Sequence, residues 1–425
     1  MNVASKAMSG GGADEKSIRP ASAAFRRLAR GIVFLVWPLI WVGGLVTTYD
    51  AGMSVPDWPN TYGHNLLLYP YQTWLLGPFD LFIEHGHRLL ASVIGFLSIA
   101  LVAVAFWKRE RTSLKTWSMA VLAMVIAQGV LGGIRVVWSD QSMAMVHGCF
   151  GPAFFVVCAL TALAAGPRGM SPLDRATNSS GGDRSSTDAK AQGASRWPAN
   201  RWLASQTSLG WARGLSVVIA LLAYGQLVLG ATLRHALPTM QPGTFAAVIA
   251  THVTMAFALW LLVAGFAWLV ESAKRVGRAK REGPAVDLPG GKSTTDLNPV
   301  CDNPPVLGVS RLLVGLVGLQ IALGLGTWVV HYGWPRMLAG WGDPGYLLES
   351  KDFVDAWIVT GHVATGSLIL ALSAVAARRL WLSRVETSDS RDVAFSIAPP
   401  ELSAPTDRPH SSVSVASSAD PITVS

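Results

Sequence analysis

Four histidines, His87, His147, His252 and His362, stand in the first turn or two of four different apolar segments. Imidazole is costly to bury in lipid, and a chain that meets that cost four times at one depth points to metal ligation. Two imidazoles from facing helices are what a haem iron takes as axial ligands, so four suit two haems. The alternative for any one of them is a hydrogen-bonded packing residue. The other histidines compete less well. His64 and His85 lie in or beside the first interhelical loop, His235 and His331 at ends of apolar segments, and His410 in the tail. His85, two residues from His87, is the strongest rival.

Glu84 precedes His87 by three residues, a spacing that puts both on one face if the helix already runs there. A carboxylate at an apolar boundary needs either a chemical role or a partner. A helix-start acid and a salt bridge to Arg88 compete with catalysis. Arg88, Arg135 and Arg234 lie at segment ends, where guanidinium forks suit carboxylates such as haem propionates. Simple interfacial snorkelling competes with that reading. The first loop carries Ser54-Val55-Pro56-Asp57-Trp58-Pro59, then Tyr69, Tyr71 and Trp74, and either caps a site or lies at the interface.

The elements that must hold these residues are membrane helices. Of the 425 residues, 51% are hydrophobic and 14% charged, an integral-membrane profile rather than that of a soluble core. The 17 tryptophans fit extensive membrane–water interfaces. The net charge of +8 sits between apolar segments and not in a basic stripe. It therefore reads as a topology signal and excludes a nucleic-acid partner. Eight segments are long enough to span a bilayer, near 31–49, 86–107, 116–138, 144–165, 213–234, 245–270, 308–331 and 355–381. Arg26, Arg27 and Arg30 precede the first, which lacks an A-x-A-like cleavage site and reads as an uncleaved span.

Loop charge alternates. Residues 50–84 contain no Lys or Arg, the next loop has Lys108, Arg109, Arg111 and Lys115, and the alternation continues to the tail. The positive-inside rule then puts both termini in the cytoplasm and all four histidines toward the outer face. Residues 1–20, 169–200, 283–305 and 385–425 are too poor in apolar residues to fold alone. Of the three cysteines, Cys149 and Cys158 fall in an apolar segment and Cys301 in a polar loop, with no pair placed for a disulfide.

Three odd-numbered segments share Q-x-x-L-G, at Gln128–Gly132, Gln226–Gly230 and Gln320–Gly324. The first has Gly43 and Gly44 but no glutamine. The glycines read as close-packing positions and the glutamines as candidates near a cofactor. The repeat implies an all-α integral membrane protein of two pseudo-symmetric four-helix bundles. Its parts are a cytoplasmic segment 1–30, an N-terminal half 31–165, a linker 166–212, a C-terminal half 213–381 with its cytoplasmic loop 271–307, and a tail 382–425. His87 then pairs with His147, and His252 with His362.

Taken in order, these pieces resemble the haem A synthase family. The matching motifs are Gly43–Gly44 with SVPDWP at 54–59, Glu84-His85-Gly86-His87-Arg88, Gly132–Arg135, His147-Gly148, Gln226–Gly230, His252, Gln320–Gly324 and Gly361-His362. The resemblance spans about residues 31–381. It implies a plasma-membrane oxidoreductase that oxidises the C8 methyl of haem O, through a hydroxymethyl stage, to the formyl of haem A for terminal oxidases. His87 and His147 would receive the substrate haem, His252 and His362 would ligate a resident haem b, and Glu84 would be the catalytic acid. The implied partners are haem O, haem O synthase, terminal oxidase assembly, membrane lipid and further copies of the chain. The chain departs from members with a cysteine pair in an outer loop, and its TTYDAGM stretch at 47–53 replaces a more basic one. Two other functions use the same histidines: a di-haem cytochrome b-like quinol oxidoreductase subunit, and a haem transporter or chaperone.

Overall fold

The computed structural model describes residues 20–166, 199–237, 239–281, 287–288, 292–293, 304–332 and 353–395. The expectations for residues 1–19, 169–198 and 396–425, and those for Cys301 and His410, fall outside these, as does most of 283–305. Nine helices are present among the described residues. They are α1 Ala23–Thr48, the short α2 Tyr71–Leu75, α3 Phe79–Trp107, α4 Thr112–Val137, α5 Gln141–Ala165, α6 Ala199–Arg234, α7 Pro242–Arg281, α8 Pro304–Tyr332 and α9 Phe353–Phe395. All but α2 are long and apolar enough to cross a membrane, which gives the eight spans expected. Two residue pairs, β1 Asp287–Leu288 and β2 Lys292–Ser293, pair antiparallel.

The helices start and stop for local reasons. Ser22 caps α1 by accepting from the Phe25 amide at 3.3 Å, and Asp140 caps α5 by accepting from Ser142 and Met143 at 2.6 and 3.1 Å. At the other end, Arg109 and Ser139 adopt left-handed φ of 51° each. The following amides then reach back, Glu110 to the Ala105 carbonyl and Asp140 to that of Arg135, which closes α3 and α4 with six-residue turns. Links this short make α3, α4 and α5 run antiparallel to one another in turn. The helices begin earlier than expected, α3 by seven residues and α9 by two, because hydropathy windows miss first turns that mix polar and apolar residues. His147, the seventh residue of its helix, keeps to the first two turns, while His87, His252 and His362 lie deeper, at the ninth, eleventh and tenth residues of theirs. These positions are about 9–15 Å along the axis at 1.5 Å per residue.

Two large hydrophobic cores form, beside a small cluster of Val46, Ala51 and Ile83. Phe25, Ile32, Ile94, Leu101, Leu114 and Phe154 anchor one among α1, α3, α4 and α5, with Cys158 packed in it. Ile219, Val263, Phe266, Leu313 and Leu380 anchor the other among α6 to α9. Large apolar side chains such as Phe34, Trp107, Leu221 and Trp268 stay more than 60% exposed, the outward face that a bilayer would cover. Polar ties hold the basic ends of the helices together. Glu110 accepts from the Ser22 amide at 2.8 Å, Arg111 donates to the Ala164 carbonyl at 2.6 Å, and Arg213 donates to Leu380 at 3.0 Å.

Candidate haem-binding and catalytic site

Each of the four histidines lies against one glycine of the membrane-length helix before it. A Cβ added to Gly43 would come 2.9 Å from His87 Cε1, one on Gly132 3.1 Å from His147 Cε1, one on Gly230 3.2 Å from His252 Cε1, and one on Gly324 3.0 Å from His362 Cε1. Carbon–carbon contacts settle near 3.5–4.0 Å, so only glycine leaves the imidazole its place. The repeat glycines do serve packing, and what they pack is the four rings. The first helix departs from the repeat less than its sequence suggests. It keeps the glycine at Gly43, with Leu39 in the glutamine's place and Val42 in the leucine's.

The glutamines hold the backbone of the next helix. Gln128 Nε2 donates to the His147 carbonyl at 3.0 Å and Gln226 Nε2 to that of His252 at 2.8 Å. In the third repeat His362 Nδ1–H donates to the Gln320 carbonyl at 3.1 Å. That bond fixes the tautomer and leaves the Nε2 lone pair for a metal.

The rings sort into the two expected pairs. His252 and His362 have centroids 6.3 Å apart with planes at 62°. Two metal–nitrogen bonds of about 2 Å on one axis, each with its ring centre about 1 Å behind the nitrogen, give a separation of about 6 Å. His87 lies within electrostatic reach of His147 and of Arg135 and Arg88. Among the described residues no group of three or more His, Cys, Asp or Glu could hold a metal ion. Two-imidazole sets instead suit a metal whose other ligands come with it, as a porphyrin supplies them. Some buried polar atoms at these places lack a partner, namely the Oε1 atoms of Gln128, Gln226 and Gln320 and Arg234 Nη1. Native proteins seldom leave such atoms unsatisfied, so the residues present fit a bound polar macrocycle.

A carboxylate and a cap stand at the first pair. Glu84 is 3% exposed and inside α3, so it shares a face with His87. One oxygen accepts from Arg88 Nη2 at 2.8 Å and the other from the Val55 amide at 2.9 Å. The salt bridge weighed against catalysis is therefore real. Arg88 also donates to the carbonyls of Asp57 at 2.7 Å, Asn60 at 3.1 Å and Val55 at 2.8 Å. All four hydrogen atoms on its terminal nitrogens thus have partners, and the donors expected to meet a propionate grip the loop instead. The loop is pinned elsewhere too. The Trp58 ring lies against Gly133, where a Cβ would come within 2.4 Å, and Gly52 lies directly under the Arg135 guanidinium. Asp57 accepts from the Tyr62 and Gly63 amides at 2.8 Å each. Partial burial alone would raise the Asp57 carboxyl, but those amides and nearby Arg88 hold it below the usual carboxylate range.

His85 belongs to this cap. Its Nδ1 pairs with Thr61 Oγ1 at 3.2 Å, and its ring packs 5.2 Å from both Tyr69 and Trp74. Arg234 reaches from α6 to α1, donating to the Gly44 carbonyl at 2.9 Å and to Thr48 Oγ1 at 2.6 Å. Its buried Nη1 is left to meet a carboxylate. His235, beside it, is pushed down to about 4 by burial and by the charges of Arg234 and Arg135. Sequence reasoning missed the loop clamp and the ring-seating role of the glycines. The equal spacing from each glutamine to its glycine was the signal for the second.

Residues 26–192 match the family model COX15-CtaA, cytochrome oxidase assembly protein. Among curated relatives, the chain is 36% identical over 127 residues to the "Heme A synthase" of Shouchella clausii, covering 29% of this chain and 40% of that one. It is 28% identical over 131 residues to the "Heme A synthase" of Geobacillus thermodenitrificans, 30% of this chain and 37% of that one. To the "Heme A synthase" of Brucella ovis it is 31% identical over 121 residues, 27% and 34%. The matched region thus spans about two fifths of the length of the first of these relatives. Residues 26–192, about two fifths of the chain, are thus similar to the COX15-CtaA family of cytochrome oxidase assembly proteins.

Proposed function

We propose that this protein is a haem A synthase that oxidises the C8 methyl of haem O to the formyl of haem A. The observation that carries the reading is the asymmetry between two otherwise matched histidine pairs. Glu84 stands three residues before His87, where the equivalent positions before His147, His252 and His362 are Ala144, Ile249 and Val359. A di-haem electron carrier or a haem transporter needs the imidazoles and has no use for that carboxylate.

In this reading His87 and His147 hold the substrate haem, and His252 and His362 hold haem b, which when bound supplies one-electron redox chemistry. Glu84 is fixed by Arg88 and the Val55 amide before substrate arrives. Each of its oxygens keeps a lone pair, so the carboxylate faces developing positive charge at the methyl carbon, or orients water there, without reorganising. Arg88 pairs with Glu84 and holds the cap that limits bulk water. Arg135 and Arg234 are the propionate contacts. The bare loops lie on the histidine side and Lys108, Arg109, Lys274 and Arg275 on the other. We read the protein accordingly as a plasma-membrane protein with cytoplasmic termini, outward haem sites, two four-helix halves and a place in terminal oxidase assembly.

The test is expression in a host supplied with haem O, with pyridine haemochrome analysis and chromatography of the bound haems. His252→Ala and His362→Ala should lose haem b, and retention in both would overturn the assignment of the pairs. Glu84→Ala and Glu84→Gln should keep haem but accumulate no haem A, and haem A from either would overturn the catalytic role. Wild type without haem would overturn the whole reading.

A further inference from the structure

The back of the first site is apolar. A half-open groove of about 560 Å³ lies between α1, α2, α3 and the start of α9. Its walls include Val42, Leu45, Trp74, Ile83, Gly86 and Trp357, and its one ionisable lining residue is Tyr49. Val42, Leu45 and Trp357 also line a second groove of about 400 Å³ that continues along α1 past Trp41 to Trp37. The two together follow α1 from Trp37 to Tyr49 at its end, about 18 Å at the helical rise.

The groove adjoins the histidine site through the chain itself. Val42 precedes Gly43, which seats the His87 ring, while Gly86 precedes His87 and Ile83 precedes Glu84. At Gly86 a Cβ would meet nothing within 4 Å, so the α3 wall is open there, unlike at the four ring-seating glycines.

We propose that this groove is the subsite for the isoprenoid tail of the substrate haem, a determinant of selectivity for a haem carrying such a tail over one without it. The inference rests on the haem O reading above. A macrocycle held by His87 and His147, with its carboxylates toward the arginines of the polar end, must direct a long hydrocarbon substituent away from that end. The seam between α1 and α3 at Gly86 opens next to the iron ligand and leads into an apolar trench. Each tail CH₂ buried there is worth about fourfold in affinity. The glycine at residue 86 has a cost in a helix interior, and an opening for a substituent accounts for it.

The experiment titrates the full-length protein in lipid nanodiscs with haem O and with haem B, which lacks the tail, and reads the Soret change at the first pair. Wild type should prefer haem O by at least about tenfold. Gly86→Leu, which fills the groove without meeting backbone and improves helix propensity, should bring haem O affinity down to that of haem B and leave haem B unchanged. Leu75→Gln on the small outer helix α2 makes the same groove more polar without touching the core, and should reduce the preference in the same direction. Equal affinities in wild type, or a preference that survives in both variants, would overturn the tail subsite and mark the groove as one for membrane acyl chains. Failure of both haems to bind at the first pair would overturn the haem O reading instead.

Discussion

The Gly324→Ala variant tests whether the repeat glycines serve the rings. The new Cβ would lie 3.0 Å from His362 Cε1, so the ring must retreat by about 0.5–1 Å to reach ordinary contact. It cannot do so freely. Its Nδ1–H is tied to the carbonyl of Gln320, one turn before Gly324 on α8, at 3.1 Å. A retreat of that size takes the bond to the limit of hydrogen-bond geometry and forfeits about 1 kcal/mol. It also moves Nε2 off the axis shared with His252. Losing such support for a metal-bound imidazole typically costs 10–100-fold in affinity, whereas alanine improves the propensity of α8 by up to about 1 kcal/mol. The two effects act on different observables. The helix should remain folded by circular dichroism, while haem b occupancy falls and the low-spin signal from the bis-imidazole iron shifts. Gly315→Ala on the same helix is the control, because its Cβ meets nothing within 4 Å. It should keep full haem and equal or exceed wild-type stability. Unchanged haem content and an unchanged spectrum in Gly324→Ala would refute the ring-seating role.

Two further outcomes follow from the cap. Arg88→Gln leaves the Glu84 side chain, 5% exposed, as a buried carboxylate without its partner. It should destabilise the fold by about 3–5 kcal/mol and open residues 55–60 to proteolysis, and an unchanged cleavage rate would show that the clamp is dispensable. Asp57 titrates below the usual range, so its hold on Tyr62 and Gly63 is complete above the unfolded pKa and fades as pH falls through the lowered one. Loop proteolysis should therefore be flat between about pH 5 and 8 and rise only in stronger acid, and Asp57→Ala should abolish that acid step. A transition near neutrality that survives in Asp57→Ala would assign the loop's pH response to another group.

The spans were legible because bilayer solvation demands some 20 apolar residues whatever the tertiary contacts. The histidine pairs were legible because repetition makes a costly residue conspicuous. Helix starts were less so. Phe79–His85 mixes polar and apolar residues in a first turn that a hydropathy window averages away, and α3 gains seven residues there. The choice between His85 and His87 needed the fold. Both look alike in sequence, and only the packing of Thr61, Tyr69 and Trp74 around His85 separates them. The double duty of Arg88 was hidden for the same reason. Its partners are backbone carbonyls of a loop 28–33 residues earlier, and carbonyls carry no signature of residue type.

Gly43 and Gly44 are neighbours on α1 that serve opposite sides of it. Gly43 makes room for His87. Gly44 makes room for Thr360 of α9, two residues before His362, and its carbonyl receives Arg234. Thr48, one turn on, pairs with Thr360 at 3.3 Å. This helix is therefore a party wall, and whatever shifts it is felt in both rooms. If the chain arose by doubling one unit, the two copies were never free to stay alike, because one helix had to become the shared boundary. That helix is also the one without the repeat's glutamine. A C-terminal half transplanted alone would carry its own two histidines but leave behind the surface on which Arg234 and Thr360 rest.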